Sequence, residues 1–440
     1  MFKTFINAFK IKDIRKKLLY TLLMLVVIRI GSQIPTPGMN VSTIKGILEG
    51  FDLGVMGMFT GGAFEQASIM ALNITPYITS SIIIQLMTIA IPKLEEMQND
   101  GEDGRKKIQS LTRYITVGLA LLESAAMAFG FRGALVDSNS FVLNFIMVMA
   151  AMTAGSAFLM WVGERITEKG VGNGISIVLI INIISSFPAD ARNLYDTYIK
   201  GAKSVANGVL NAVIIVLVVL VLIVLVVILS EATRKIPLQY TKKIQGNKMT
   251  GGNTSVIPVK VNTASVIPVI FASSIMTFPA IITNMVTSAS GKPTGKVWGE
   301  ILKYLSTREW FNVNDIKYTV GCILYIAMIV FFAYFYTSIT FNPLEISNNL
   351  KKSGGFIPGI RPGKPTTDYL NDVLNKIIFI GAVGLTIVAI YPYIFTGFLG
   401  APNLSFGGTS VIIVVGVLVE TVKQVEAQML VRNYKGFLND

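Results

Sequence analysis

The stretch AVIIVLVVLVLIVLVVIL (residues 212–229) decides the fold class, because it contains eighteen consecutive apolar residues. As an α-helix it is about 27 Å long, which nearly spans the roughly 30 Å hydrocarbon core of a bilayer. A core helix of a soluble protein is the alternative interpretation. The composition argues against it, since 52% of the residues are hydrophobic and 14% are charged, whereas soluble domains have about 25% charged residues. The sequence therefore predicts an integral membrane protein.

Apolar runs of similar length recur along the whole chain and predict an all-α integral membrane protein with ten transmembrane helices. Because ten is an even number, both chain ends are expected on the same side of the membrane. The first run follows a basic stretch, as in a signal peptide, but it lacks a small-residue cleavage site and is interpreted as a retained span. The ten predicted spans cover residues 18–34, 73–91, 112–130, 141–162, 175–189, 208–230, 263–287, 318–341, 374–396 and 406–424.

The distribution of lysine and arginine predicts the orientation of these spans. Basic residues are concentrated in the N-terminal tail and in the loops on the same side, and cytoplasmic loops carry such an excess. Both termini are therefore expected in the cytoplasm, with the protein in the plasma membrane. The external loop 288–317 is the exception, because it contains five basic residues. The basic residues of the N-terminal tail are Lys3, Lys10, Lys12, Arg15, Lys16 and Lys17.

The glycine-rich segment FDLGVMGMFTGGAFEQASIM (residues 51–70) is apolar but does not have the pattern of a span. Four glycines interrupt it, and Asp52 and Glu65 lie within it. Irregular backbone at membrane depth is tolerated only against protein or a wet cavity. The segment is thus either an external loop or a re-entrant piece that plugs a cavity.

Ten spans divide into two sets of five, and a repeat of an odd number of spans inverts its topology. Span two opens with NITP (residues 73–76) and span seven with TASVIP (residues 263–268), so the second span of each set has an early proline. Interrupted spans at corresponding positions indicate a translocation path. We expect an N-terminal half over residues 1–190 and a C-terminal half over residues 191–440.

Few residues of the chain are suited to catalysis, so no enzyme activity, cofactor or metal site is expected. The sequence has no histidine, a single cysteine at Cys322 and no phosphate-binding GxxxxGK[ST] loop. Within the spans the clearest ionisable residues are Arg29 and Glu123, whereas an ion-coupled pump needs intramembrane acids along its path. A passive conduit is favoured, and an ion-coupled secondary transporter with ten spans remains the alternative.

Two cytoplasmic loops, residues 231–262 and 342–373, are longer than orientation signals need to be. They contain RKIPLQYTKK and LKKSGGFIPGIRPGKPTTDY, and structureless loops of this length are usually functional or disordered. Retention of orientation is the simple interpretation. A docking surface for a soluble partner is the functional one, with Arg361 as an anchor.

Six ordered stretches across the chain resemble the SecY/SEC61-alpha family of protein translocase channels. The short N-terminus and the ending QVEAQMLVRNYKGF are most similar to the low-GC Gram-positive branch. The matching stretches are RIGSQIPTPG (29–38), GGAFEQASIMALNITPYITSSIIIQL (61–86), MWVGERITEKGVGNGISI (160–177), VKVNTASVIPVIFASS (259–274), NNLKKSGGFIPGIRPGKPT (348–366) and FGGTSVIIVVGVLVET (406–421).

The resemblance implies a clamshell of two inverted five-helix halves around a pore, with a re-entrant plug at about residues 51–70. The channel would be the central subunit of SecYEG, with SecE and SecG as subunits. The SecA ATPase or the ribosome would drive unfolded preproteins and their signal sequences through the pore or sideways into membrane lipid. An aliphatic ring suits a pore with variable cargo, because it seals by fit and dewetting.

The resemblance also assigns residues of this chain to each part of the channel. The pore ring is expected at Ile74, Ile78, Ile175, Leu179, Ile270 and Ile413. The plug is expected to include Phe51, Gly57, Phe59, Gly61, Gly62 and Phe64. The lateral gate, formed by spans two and three against seven and eight, is expected to include Thr79, Gln85, Asn173, Ser274 and Phe278. Partner docking is expected at Lys242, Lys243, Lys248, Lys351, Lys352, Arg361 and Lys364.

Overall fold

The computed structural model shows a helix over each of the ten predicted spans. It describes residues 8–48, 60–64, 66–135, 141–200, 205–240, 243–245, 248–250, 254–290, 295–306, 310–311, 316–399 and 408–436. The N-terminal helices are α1 Lys12–Gly31, α2 Val41–Leu48, α3 Thr75–Ala90, α4 Pro92–Asn99, α5 Gly101–Gly130, α6 Phe141–Lys169 and α7 Gly174–Leu194. The C-terminal helices are α8 Val205–Glu231, α9 Ile267–Ser290, α10 Lys296–Leu305, α11 Val320–Thr340, α12 Pro343–Ser353, α13 Lys364–Leu399 and α14 Gly408–Gly436.

Short helical turns connect some of these helices, namely 3₁₀ turns at Arg132–Ala134 and Ile316–Thr319 and a π turn at Tyr195–Lys200. Within the described ranges, four helical stretches are long and apolar enough to cross a membrane. There are up to five if the pair formed by α3 and α4, bent by 107°, is one span. The count of ten spans therefore stays a prediction. The four stretches are Phe141–Lys169, Gly208–Glu231, Lys317–Ser353 and Lys364–Tyr391.

Helix α8 is the most apolar helix that the structure describes as a candidate span, but few of its residues are buried. It is apolar all round, yet only 11% of the most apolar 18-residue stretch within Gly208–Glu231 is buried. A helix with this composition is buried in a large protein or in lipid. Since the described part of the chain covers little of its surface, most of α8 faces lipid or another membrane helix.

The pattern of helix packing repeats between the two halves of the chain. In the N-terminal half α1 packs against α6 and α7, α3 packs against α5, α5 against α6, and α6 against α7. Each of these contacts has its counterpart five spans later, since α8 packs against α13 and α14, α9 against α11, α11 against α13, and α13 against α14. The prediction of two five-helix halves thus agrees with the way the helices pack.

The halves meet through α5 with α9 and through α7 with α14. The second contact joins span five to span ten, which are equivalent positions of the repeat. The first joins span three to span seven, and its counterpart would join span eight to span two. Helices α11 and α3 make no packing of similar extent among the described residues. The junction is therefore asymmetric.

The chain enters α3 and α9 in the same way. Asn73 and Ser265, three residues before the prolines of NITP and SVIP, both adopt φ of 53°. Four residues further upstream, the carbonyl oxygens of Ile69 and Val261 lie against Gly155 of α6 and Gly381 of α13. A Cβ at these glycines would approach those oxygens to 2.0 Å and 2.4 Å, so neither position has room for a side chain.

The two predicted cytoplasmic loops are structured and joined to each other, which the sequence interpretation as loops did not anticipate. Strands β1 (Thr233–Tyr240) and β4 (Thr254–Lys260) form an antiparallel hairpin, in which Ile236 pairs with Ile257. Strand β5 (Gly355–Phe356) from the second loop pairs with the other edge of β1. Strands β2 (Lys243–Gln245) and β3 (Lys248–Thr250) pair at the tip of the hairpin.

Candidate translocation path

All six residues predicted for the pore ring belong to one hydrophobic cluster. Ile74, Leu179 and Ile413 are buried members of it, and the other three predicted residues pack against it half-buried: Ile78, Ile175 and Ile270. These side chains come from α3, α7, α9 and α14, with Ile74 directly before α3, so both halves contribute. Because the cluster extends well beyond these six residues, their role as a constriction remains a prediction.

A buried polar contact fixes the start of α3 beside this cluster. Asn182 of α7 donates from Nδ2 to Oδ1 of Asn73 at 2.9 Å, and the Ser156 hydroxyl of α6 donates to the Asn73 carbonyl oxygen at 3.0 Å. All three residues are buried. A buried amide that lost such a partner would carry a desolvation penalty, so these bonds hold Asn73, and with it Ile74, in place.

The sequence analysis did not select Asn182 or Ser156. Asn182 lies in an otherwise apolar run, ISIVLIINII (residues 175–184). An amide side chain that is buried with such a run needs a hydrogen-bond partner, so its presence is a sequence signal. The sequence does not show that the partner is Asn73, which is distant along the chain.

The described part of the predicted plug packs into the N-terminal half. Thr60, Ala63 and Phe64 are buried, and the ring of Phe64 meets Phe131 edge-on at 6.1 Å between centroids. Of the two interpretations of this segment, the buried placement of its end favours the re-entrant piece. Three of the predicted plug residues lie outside the described residues: Phe51, Gly57 and Phe59.

Gly61 shows how closely this segment approaches α7. It adopts φ of +58°, and a Cβ there would lie 2.5 Å from the Asn182 carbonyl oxygen and from Ser185 Oγ. Ser185 donates to the Gly61 carbonyl oxygen at 3.3 Å. Gly62 also has positive φ, 81°, but a Cβ added there would have nothing within 4 Å. Gly61 is thus required for close approach and Gly62 for backbone conformation.

The predicted seam of the lateral gate differs in detail from the arrangement of the helices. Helix α9 packs against α5 and α11, whereas α3 packs against α5 and has no extensive contact with α9 in the described chain. The observed seam is therefore spans three and seven. Of the predicted gate residues, Thr79 is half-buried and Gln85 and Ser274 are exposed. Phe278 lies in α9, but its side chain is outside the described part of the structure.

The polar residues of the spans form hydrogen bonds inside the N-terminal half. Ser80 of α3 shares a hydrogen bond with Thr116 of α5 at 2.5 Å between hydroxyl oxygens. Ser124 of α5 does so with Thr153 of α6 at 3.0 Å. Both pairs join neighbouring helices, which is a common role of hydroxyl side chains in membrane spans. Glu123, beside Ser124, is half-buried on α5.

Asn173, one of the predicted gate residues, is the N-cap of α7. Its Oδ1 accepts from the backbone N–H of Ile175 at 3.1 Å and of Ser176 at 3.4 Å, at the start of α7. Beside it, Gly172 has φ of 81° and lies against the Thr421 side chain of α14. The cap thus sits where the two halves meet.

The predicted docking residues lie on or beside strands β2, β3 and β5 and helices α12 and α13. Lys351 and Lys352 end α12, Arg361 is in the turn between β5 and α13, and Lys364 begins α13; all four are exposed. Lys243 and Lys248 belong to β2 and β3, but their side chains are outside what the structure describes, and Lys242 lies outside the described residues altogether.

Comparisons with known proteins identify this architecture. The SecY family model matches residues 68–422. The chain belongs to the SecY family. SecY relatives named protein translocase subunit SecY include one from Streptomyces griseus, 42% identical over 454 residues with 100% of both chains covered. Another, from Corynebacterium glutamicum, is 41% identical over 457 residues and covers 98% of this chain and 99% of its own.

Solved structures confirm the predicted fold. A protein-conducting channel superposes with a TM-score of 0.64 at 18% identity, covering 94% of this chain and 92% of the other. Sec61 from a canine ribosome-channel complex gives 0.59 at 17% identity with the same coverage. The named relatives are from high-GC Gram-positive genera, not the low-GC branch that the chain ends suggested.

Proposed function

We propose that this chain is the central subunit of a protein translocation channel in the bacterial plasma membrane, with both termini in the cytoplasm. The observation that carries the proposal is full-length similarity to protein translocase subunits SecY, on a chain whose two halves meet at an aliphatic cluster. The family is one of channel subunits, not of enzymes. The same evidence disfavours the ion-coupled transporter considered from sequence.

The chain itself would act as a passive conduit. The predicted ring residues would close on one another when no cargo is present and on the cargo during passage, because aliphatic side chains exclude water and ions without specific hydrogen bonds. Residues 60–64 and the segment before them would fill the outer side of the constriction. The energy for movement would come from the SecA ATPase or the ribosome docked at the cytoplasmic sheet, with SecE and SecG as companion subunits.

Reconstituted vesicles test the function directly. The purified chain with its companion subunits, supplied with SecA, ATP and a signal-bearing precursor, is expected to move the precursor into a protease-protected space. Vesicles without the chain are the control. Protection that is independent of the chain would reject the proposal.

Ion conductance tests the ring. Changing Ile78 and Ile270 to Asn should hydrate the cluster and raise the resting conductance of planar bilayers, whereas Ile323→Asn, on an exposed face of α11, should not. An unchanged conductance in the double variant would place the seal elsewhere. Deleting residues 57–65 in the same assay then asks whether the plug alone seals.

Sideways exit of apolar segments is proposed between α5 and α9. Each leucine transferred to lipid gains about 1.5–3 kcal/mol, so a segment with many leucines outweighs a few polar interhelical bonds of roughly 0.6–2 kcal/mol each. Cysteine pairs between α5 and Ser274 or Ile275, in a background lacking Cys322, should crosslink and block membrane insertion until reduced. Pairs from Thr79–Ser81 to the same positions should crosslink less. Normal insertion through an efficiently crosslinked seam would exclude this exit.

A further inference from the structure

Helix α10, in the external loop between α9 and α11, has an exposed apolar face. Val297, Trp298 and Ile301 are 76%, 46% and 41% exposed. They recur at helical spacing on one arc, while Lys296, Glu300 and Lys303 recur on the opposite arc. A helix with this division of apolar and charged residues is typical of the membrane interface.

Helix α10 folds back onto α9 and does not project into water. The Trp298 indole N–H donates to Oγ1 of Thr283 in α9 at 2.7 Å. Thr283 lies about two turns before the end of α9 at Ser290, which is about 10 Å along the helix axis. Trp298 is therefore level with the last turns of a helix in the predicted membrane-spanning set.

The charged arc is bound to the 3₁₀ turn Ile316–Thr319, which directly precedes α11. The Tyr318 hydroxyl donates to the Glu300 carboxylate at 2.9 Å, and Lys317 and Lys303 each lie 3.5 Å from the same carboxylate. The Tyr318 hydrogen bond, followed by the charge of the two lysines, lowers the pKa of Glu300, so it remains ionised at neutral pH. These contacts hold the charged arc to one side of the helix.

The end of α10 is fixed to α11 as well. The Tyr304 carbonyl oxygen accepts from Trp310 Nε1 at 2.9 Å, and a Cβ at Gly321 would meet the same oxygen at 1.7 Å. The adjoining first turns of α11 expose Val320, Ile323 and Leu324 at 59%, 64% and 48%. The uncovered face of α10 thus adjoins an apolar helix surface of the kind that faces lipid.

We propose that α10 lies in the outer membrane interface, with Val297, Trp298 and Ile301 inserted among lipids and its charged arc toward water. Through Trp298 the lipid contact anchors the outer end of α9, the helix of the proposed exit seam. Lys303 and Lys317 also have a local role beside α10, since both pair with Glu300. The orientation is part of the proposed function, but the lipid contact does not depend on transport.

Site-specific fluorescence tests the lipid contact. Val297→Cys and Lys303→Cys are made separately in a Cys322→Ala background and labelled with an environment-sensitive fluorophore. The protein, with the subunits that co-purify, is reconstituted in vesicles of phosphatidylethanolamine and phosphatidylglycerol. The label at 297 should emit at shorter wavelength than the label at 303. It should be quenched more strongly by a nitroxide near the lipid headgroup than by one near the acyl-chain end, because interfacial helices insert only roughly 5–10 Å.

Three results would overturn the inference. A label at 297 that is quenched by aqueous iodide as strongly as the label at 303 would mean that the face is in water. A label shielded from both iodide and nitroxide would mean that a protein covers it. Stronger quenching from the acyl-chain end would mean that the helix is not interfacial. Precursor transport by the same vesicles is measured in parallel, so failure of the channel proposal is read separately.

Discussion

Asn73 is held in a left-handed backbone conformation that few residues other than glycine adopt. Its side chain and its carbonyl oxygen are both engaged, by Asn182 and Ser156, at the point where the chain turns into α3. The position of the neighbouring ring residue, Ile74, therefore depends on two buried hydrogen bonds rather than on the apolar cluster alone.

Replacement of Asn182 by Leu tests this dependence. The variant removes the donor to Asn73 and leaves a buried amide oxygen without that partner, which costs about 1–3 kcal/mol. The thermal unfolding midpoint in detergent should fall, and the resting conductance of planar bilayers should rise as Ile74 loses its fixed position. Asn349→Leu, at an exposed position of α12, is the matched control. Equal stability of the two variants would show that the contact does not position α3.

At the scale of elements, the start of α7 depends on two glycines. A Cβ at Gly174 would lie 1.9 Å from the Gly163 carbonyl oxygen of α6, and one at Gly163 would lie 2.5 Å from Cδ1 of Ile175. The first neighbour is backbone and cannot move cheaply, whereas the second is the end of a flexible side chain. A side chain at Gly174 would therefore displace backbone, whereas one at Gly163 would displace only the Ile175 side chain.

Gly174→Ala should be the more damaging change, because overpacking against backbone costs about 1–3 kcal/mol. Gly163→Ala should be tolerated but should shift Ile175, a predicted ring residue, and alter resting conductance. Gly416→Ala in α14, with nothing within 4 Å of its Cβ, should raise stability by about 0.5–1 kcal/mol. Thermal unfolding of the three variants checks the order, and a Gly174→Ala protein as stable as Gly416→Ala would contradict it.

Three of the predicted docking lysines differ in which end of a helix they occupy. Lys351 and Lys352 lie in the last turn of α12, where the helix dipole favours positive charge. Lys364 begins α13, where the dipole disfavours it. Helix stability therefore accounts for the first two residues but not for Lys364, whose charge is better explained by a partner.

Charge reversal separates these two roles. Lys352→Glu should lower stability by about 0.3–1 kcal/mol at low salt, whereas Lys364→Glu should leave stability equal or higher. Transport should show the opposite order, with Lys364→Glu and Arg361→Glu impairing precursor movement at normal amounts of folded protein. Unfolding curves and vesicle transport measure the two effects. Normal transport by both Arg361→Glu and Lys364→Glu would mean that partners dock elsewhere.

The elements also show what a single sequence reveals. Apolar windows located the helices, but α5 begins at Gly101 and not near residue 112, because a helix continues past the region where hydropathy detects it. The sequence predicted a loop where the hairpin lies, although Ile236 and Leu238 alternate with exposed residues. Pro237 is an unusual residue for the middle strand of a sheet. The hydrogen bond from Asn182 to Asn73 joins distant positions, and no local pattern encodes it.

Over the whole molecule, the packing of five spans recurs in the next five, and two glycines mark the corresponding joints. Gly155 leaves room for the Ile69 carbonyl oxygen before α3, and Gly381 leaves room for the Val261 carbonyl oxygen before α9. A lone glycine in an apolar helix has no sequence signature of its own, so this correspondence became visible in the structure. Of this correspondence between the two halves, the sequence alone shows only the matching prolines of NITP and SVIP.

Alanine at either joint should have the same consequence. Gly155→Ala and Gly381→Ala each place a methyl group against a backbone carbonyl, and each should lower the unfolding midpoint by a similar amount, corresponding to about 1–3 kcal/mol. Gly118→Ala on α5, where nothing lies within 4 Å of the added carbon, should be neutral or stabilising. A strong loss of stability at only one of the two glycines would mean that the halves share their helix arrangement but not the close packing at these positions.

The pairing of β5 with β1 has a mechanical consequence. A force applied to the hairpin tip passes to α8 and α9 through the two strands that continue into them, and to α12 and α13 through the pairing of Gln239 with Phe356 and Tyr240 with Gly355. A load at the hairpin tip would therefore be distributed over helices on both sides of the connection that contains β5. The sheet couples the two connections mechanically, so a load on either one would strain the same end of the C-terminal half.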